Sequence, residues 1–374
     1  DRSGSNLVEK QIDSQDSELS VSSTTISGSL LLKTESVEEL AVAAALAAKP
    51  LGDDEHATHE HSDAVVENKA QKRPRIWAVG GGKGGVGKSL ISANFALKLS
   101  QRGKRVVAID LDLGGANLHT CLGVNPPQVS VGDWVQGRKD SLESILMPTP
   151  FPGLVLISGS TDPLKIDLLL RNKIPELFEQ IRALDADEVI IDLGAGSHQT
   201  TIEFFNNVDE GVLSILPEPT SVENAYRFIK AAYYDRLKKA DVSAGIREVI
   251  EAGMDPNNVL GIRTPSDLML IIERMDSEAH ATLTKLLSSF TPHIVINQVR
   301  TPVDIDVGRA ISSVCRRYFG LNVKYSGYLD YDSTVWKAIR NRKPVIKEFP
   351  LSPLAGRIDR LTSVLLGEEK GLVG

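Results

Sequence analysis

From Arg75 onward, short apolar runs alternate with stretches whose apolar positions recur at helical spacing. Seven runs read as strands: Ile76–Gly80, Arg105–Asp110, Leu154–Ser158, Glu188–Asp192, Val212–Leu216, His293–Asn297 and Val323–Tyr328. Several are almost continuously apolar, as strands covered on both faces must be. Helical periodicity is predicted over 88–101, 164–183, 221–238, 265–288, 304–318, 332–342 and 351–366. This alternation predicts an α/β fold, doubly wound, with a mainly parallel sheet and helices on both faces. Ligands on such a sheet sit at the carboxyl ends of the strands. Polar residues at those ends therefore carry the candidate chemistry.

The first 73 residues break the pattern. Asp1–Ser29 is rich in Ser, Asp and Glu and reads as disordered. Ser36-Val37-Glu38-Glu39 is a capping-box start for a short Ala-rich helix ending near Lys49-Pro50. Asp53–His61 sets three histidines among acids, a donor set with metal-binding chemistry, but nothing there fixes a coordination geometry, and it reads as a solvated polar linker. The organisation that follows is an N-terminal extension over 1–73 and a domain over 74–366. A charged helical insert occupies about 236–290 of that domain, and 367–374 is a flexible tail. Leu354, Ile358, Leu361 and Leu365 fall at helical spacing and read as core packing.

Composition narrows the classes. Charged residues are 24% and hydrophobic residues 41%, and the formal net charge is −7. That balance argues against general nucleic-acid affinity. Cys121 and Cys315 stand far apart with no C-x-x-C, which excludes a disulfide framework and fits a reducing compartment. No apolar run reaches the ~18 residues needed to span a membrane. The expected location is the cytoplasm.

The candidate chemistry begins at Gly82–Ser89, GKGGVGKS, between a predicted strand and a predicted helix. It matches the phosphate-binding pattern G-x-x-x-x-G-K-[ST] in its strand–loop–helix setting. Gly82, Gly84, Gly85 and Gly87, with Val86 between them, leave backbone N–H groups able to curl around phosphates. The helix starting near Lys88 adds the positive end of its dipole. Lys88 is expected on the β- and γ-phosphates and the Ser89 hydroxyl on Mg²⁺. Lys83 is a second lysine that this pattern does not require. At the start of the loop it can point away from its own phosphates, toward a nucleotide held by a second subunit.

Two further strand ends supply acids. Asp110 and Asp112 stand at i and i+2 before Gly114-Gly115; one suits Mg²⁺-bound water and the other the attacking water. Asp192 precedes Leu193-Gly194-Ala195-Gly196, an acid expected to help hold Mg²⁺ beside a backbone that senses the γ-phosphate. Asn297 ends a strand, and its amide can pair with an adenine edge. Arg300 stands where a guanine reader carries aspartate, so ATP is favoured over GTP.

GKGGVGKS with Lys83 resembles the deviant Walker A motif of the MinD/ParA family. The resemblance extends to DLDLGGANL at 110–118 and DLGAG at 192–196, and less specifically to NQVR at 297–300. It covers roughly 75–366. Within that family, ANLHTCLGV at 116–124 and EPTSVENAYRFIK at 218–230 look most like the flagellar-number regulators (FlhG/FleN, MinD-like).

The resemblance implies an ATPase, slow and partner-stimulated, in which ATP drives two subunits face to face. Lys83 would contact phosphates across that homodimer. Asp112 would position the hydrolytic water, Asp110, Asp192 and Ser89 would support Mg²⁺, and Asn117 would help hold the interface. The implied role is placement or number of a cellular structure, flagella or division site, with an activating or regulated protein partner. A DNA-segregating ATPase and an iron–sulfur cluster carrier are the other roles of this P-loop group. Trp336–Lys343 and Arg316-Arg317 are candidate DNA contacts, beside the plainer reading of solvated helix faces. Peripheral attachment at the inner face of the cell membrane is a family trait, but the acidic tail Leu366–Gly374 departs from a basic amphipathic anchor.

Overall fold

The computed structural model describes residues 73–112, 115–159, 169–255 and 257–369. The disorder, helix and histidine-cluster expectations within 1–72, the residues 160–168 and the end of the tail lie outside the described residues.

The apolar runs form one eight-stranded sheet. Its strands are β1 (Arg75–Gly80), β2 (Val106–Leu111), β3 (Met147–Pro148), β4 (Leu154–Ile157), β5 (Glu188–Leu193), β6 (Glu210–Ile215), β7 (His293–Val299) and β8 (Lys324–Asp330). Their spatial order is β3-β4-β2-β5-β1-β6-β7-β8. All neighbours pair in parallel except the two-residue β3, which runs antiparallel to β4 and was not legible in the apolar pattern. Strand β1 lies between β5 and β6. The chain leaves β1 to one side for β2 and later crosses to the other side for β6, so the crevice above β1 is the topological switch point.

The helices are α1 (Lys88–Gln101), α2 (Leu118–Cys121), α3 (Val131–Val135), α4 (Ile174–Ala183), α5 (Gln199–Asn206), α6 (Pro219–Lys238), α7 (Ala244–Ala252), α8 (Pro265–Met275), α9 (Ser277–Ser288), α10 (Pro302–Phe319), α11 (Thr334–Arg340), α12 (Val345–Glu348) and α13 (Pro353–Leu365). Along β1, Ile76 and Ala78 enter one core and Trp77 and Val79 the other, the period-2 alternation of a strand with two covered faces. Leu177 of α4, Phe204 of α5, Phe228 of α6 and Ile311 of α10 cover the first face. Phe95 of α1 and Leu354, Ile358, Leu361 and Leu365 of α13 cover the second. Helix α13 therefore packs in the core, as its spacing predicts.

The helix predicted over 265–288 is two helices. Asp276 closes α8 and opens α9, its Oδ1 accepting from the Glu278 and Ala279 amides at 3.0 and 2.9 Å. A side chain that satisfies two orphan N–H groups outcompetes helix continuation. No helix among the described residues is long and apolar enough to cross a membrane.

Candidate nucleotide site

The loop after β1 is shaped by two left-handed glycines. Gly85 has φ +79° and Gly87, the N-cap of α1, has φ +93°. A side chain at Gly87 would also collide with Asn297, whose Nδ2 lies 2.1 Å from an ideal Cβ. Gly82 is closed from the other side, with the Asn224 backbone of α6 at 2.4 Å from a built Cβ. Gly84 and Gly85 face open space. The Val86 carbonyl is held twice, by Ser214 Oγ of β6 at 2.7 Å and by Asn297 Nδ2 of β7 at 2.8 Å. A carbonyl fixed by two donors leaves the neighbouring loop N–H groups available to an anion, as an anion cradle requires.

Lys88 is buried at the start of α1. Beneath it two fully buried carboxylates adjoin. Asp192 Oδ1 accepts from Ser92 Oγ at 3.0 Å, while Oδ2 has no hydrogen-bond partner among the described residues. Burial pushes this carboxyl up; the Ser89 hydroxyl, Lys88 and Ser92 pull it back only in part. Asp110 is pushed up by burial and next by the Asp192 charge. Its Oδ1 accepts from the Asp112 amide and its Oδ2 from the Leu118 amide, both at 3.0 Å. Asp110 thus anchors both ends of the loop leading into α2. An orphaned buried carboxylate oxygen, a second buried acid and the Ser89 hydroxyl form an all-oxygen donor set, which fits Mg²⁺ chemistry.

The other predicted residues converge on the same crevice. Asp112 lies beside Gly194 and Gly115, its Oδ1 3.5 and 4.0 Å from their built Cβ positions. Asn117 donates to the Gly115 carbonyl. The Gly196 amide donates to the Gly81 carbonyl at 3.1 Å, tying the segment after Asp192 to the phosphate loop. Lys83 Nζ is 2.7 Å from Glu218 Oε2 and 3.4 Å from Thr220 Oγ1, at the start of α6. Asn297 is buried, its amide turned to Val86 and its Oδ1 accepting from the Gln298 amide at 2.9 Å, so here it faces the loop rather than solvent. Gln298 adopts φ +60°, rare for a residue with a side chain, where the β7–β8 register shifts.

Ser92, Ser214 and Glu218 escaped sequence reasoning. Ser214 had a signal, a lone hydroxyl inside an otherwise apolar strand. Ser92 and Glu218 had none, because their partners are distant in sequence. Among the described residues the two cysteines do not pair. Cys315 is buried in one core and Cys121 packs against the other, on the opposite face of the sheet. Burial, aided by Asp192 and Asp110, pushes the Cys121 thiol up to about 12.

A parallel sheet with a glycine phosphate loop at its switch point, backed by two buried acids, defines a P-loop nucleotide-binding protein. Residues 77–345 match the CobQ/CobB/MinD/ParA nucleotide binding domain, and the chain belongs to this family of P-loop ATPases. It is 27% identical over 282 residues to the antiactivator FleN of Pseudomonas aeruginosa, covering 74% of this chain and 81% of that one. It is 34% identical over 155 residues to the flagellum site-determining protein YlxH of Helicobacter pylori, covering 41% of this chain and 52% of that one. Among solved structures, the septum site-determining protein MinD of Pyrococcus horikoshii, complexed with Mg-ADP, superposes with a TM-score of 0.53. Its identity is 20%, covering 78% of this chain and 96% of that one.

Proposed function

We propose that this protein is an ATP-hydrolysing switch that closes into a homodimer around two nucleotides and regulates the placement or number of flagella or of a division site. The observation that carries the reading is the pair of buried acids, Asp110 and Asp192, under a phosphate loop that carries the extra lysine Lys83. Lys88 and the loop amides hold the phosphates. Ser89, Asp110 and Asp192 would hold Mg²⁺, which when bound would neutralise phosphate charge. Asp112, at the crevice edge beside Gly194, orients the attacking water. Lys83 leaves Glu218 to contact the phosphates of the partner copy, and Asn117 supports that interface. The antiactivator, flagellum-site and septum-site names of the relatives support this reading of the cellular role. The protein acts in the cytoplasm with an activating or regulated protein partner, with peripheral attachment at the inner membrane face.

The test is light scattering of the full chain with Mg·ATP. Asp112→Ala is expected to bind ATP, turn over at least tenfold more slowly and persist as a dimer. Lys83→Ala is expected to bind one nucleotide and stay monomeric. Normal ATP binding by Lys88→Ala, or unchanged turnover by Asp112→Ala, would sink the assignment.

A DNA-segregating role is the second reading. It rests on α11, where Trp336 is 62% exposed and the Arg340 guanidinium stands 5.3 Å over its ring. Phosphate contacts would make DNA binding fall steeply with salt. The iron–sulfur role finds no paired interface cysteines among the described residues.

A further inference from the structure

Away from the phosphate loop, one face of α6 borders a groove of about 310 Å³. Ala231, Tyr234, Ile202 and Met254 supply its apolar lining, and Arg227, Lys230 and Lys238 its cationic lining. Arg227 pairs with Glu223, whereas Lys230 and Lys238 are exposed and form no ion pair among the described residues. Ser197 and Gln199 also line the groove, directly after the Gly194–Gly196 segment.

The place where the described chain begins identifies an occupant. Arg73 pairs with Asp209 at 3.1 Å. Asn206, three residues before Asp209 and the last residue of α5, donates to Asp235 Oδ2 at 2.8 Å. Asp235 lines the groove beside Lys238. The polypeptide preceding Arg73 therefore enters near that end of the groove. That polypeptide is acidic: Asp53, Asp54, Glu55, Glu60, Asp63 and Glu67 occur with no Lys or Arg between Pro50 and Asn68. Extended chain covers ~3.3 Å per residue, so Asp53 can reach roughly 65 Å from Arg73. The helix from Arg227 to Lys238 is only about 16 Å long. Both reach and charge sign fit.

We propose that the acidic stretch 53–67 of the same chain docks along this groove, its carboxylates against Arg227, Lys230 and Lys238. Apolar Ala64-Val65-Val66 match the apolar lining of the groove. The docked arm covers the outer face of α6. The inference does not depend on the nucleotide reading, and its test uses no nucleotide.

The experiment is zero-length carbodiimide crosslinking of the full chain, in an equal mixture of unlabelled and ¹⁵N-labelled copies, read by mass spectrometry. Lys230 and Lys238 are expected to link to Glu55, Glu60, Asp63 or Glu67 within a single isotopic copy. The yield should fall at least threefold between about 50 and about 500 mM salt, because exposed charges are screened. Links only between differently labelled copies would assign the groove to a second molecule and overturn the proposal, as would no links to that stretch. In a variant carrying D53N, D54N, E55Q, E60Q, D63N and E67Q, amide exchange along 227–238 should accelerate severalfold. Identical exchange in the two chains would likewise overturn it.

Discussion

Gly87 and Asn297 show how much of the site is decided by single residues. Gly87 sits where an L side chain is disfavoured by about 1–2 kcal/mol from backbone sterics alone, and where a Cβ would meet the Asn297 amide at 2.1 Å. Gly87→Ala is therefore expected to weaken nucleotide binding by roughly tenfold or more while the sheet stays folded. A fluorescent-nucleotide titration alongside far-UV circular dichroism checks both halves, and unaltered affinity would refute the packing argument. The buried acids give a second prediction. Burial first pushes both Asp110 and Asp192 above the ordinary carboxylate range, so the unliganded site gives up its protons at higher pH than an ordinary carboxylate does. A cation and a deprotonated oxygen favour each other, so Mg·ATP binding near neutral pH should release protons. Calorimetry in two buffers of different ionisation enthalpy would show different apparent heats. Equal heats would mean that these carboxyls are already ionised. The same raised values mean that the pair favours the unliganded fold at low pH and ceases to do so as pH rises past the ordinary carboxylate range.

Among the elements, the α8–α9 junction is the clearest departure from periodicity. The apolar spacing runs on from 265 to 288, but Asp276 spends its carboxylate on the Glu278 and Ala279 amides and turns the chain. Asp276→Ala should cost about 1 kcal/mol, the usual worth of an N-cap. In a domain of this size that lowers the melting temperature by roughly 2–4 °C. A melting curve unchanged within error would mean that the junction is set by packing of Leu268, Ile272 and Leu283 instead. Helix α13 behaves in the opposite way. Its spacing of Leu354, Ile358, Leu361 and Leu365 predicted burial, and all four are buried. Periodicity is a reliable guide where burial dictates the pattern. It fails where a polar side chain competes for the backbone.

Across the whole molecule, the end of the sheet opposite the loop is tied by charge. Arg75 donates to Glu210 at 2.6 Å, His293 Nε2 lies 3.1 Å from Glu210, and His293 Nδ1 lies 2.6 Å from Ser326 Oγ, joining β1, β6, β7 and β8. Burial pushes the Glu210 carboxyl up, but His293 and Arg75 together outweigh it and bring it down to about 2. The folded value lies below the ordinary glutamate value of 4.5, so this stabilisation is complete above that pH and lost as pH falls toward about 2. Glu210→Gln should flatten the melting temperature against pH across that interval; a parallel downward shift would show that charge is not the cause. The sequence by itself determined the strand–helix alternation, the sheet class and the phosphate loop, because burial on two faces and close backbone approach each leave a local residue pattern. It also placed Asp110, Asp112 and Asp192 at strand ends. Only the tertiary structure decided that Ser214 and Asn297 hold the Val86 carbonyl, that Ser92 meets Asp192, that Glu218 holds Lys83, and that Arg73 pairs with Asp209. Those contacts join residues up to 211 positions apart. Strand order sets such contacts, and strand order is fixed by how helices cover the two faces of the sheet rather than by any local spacing.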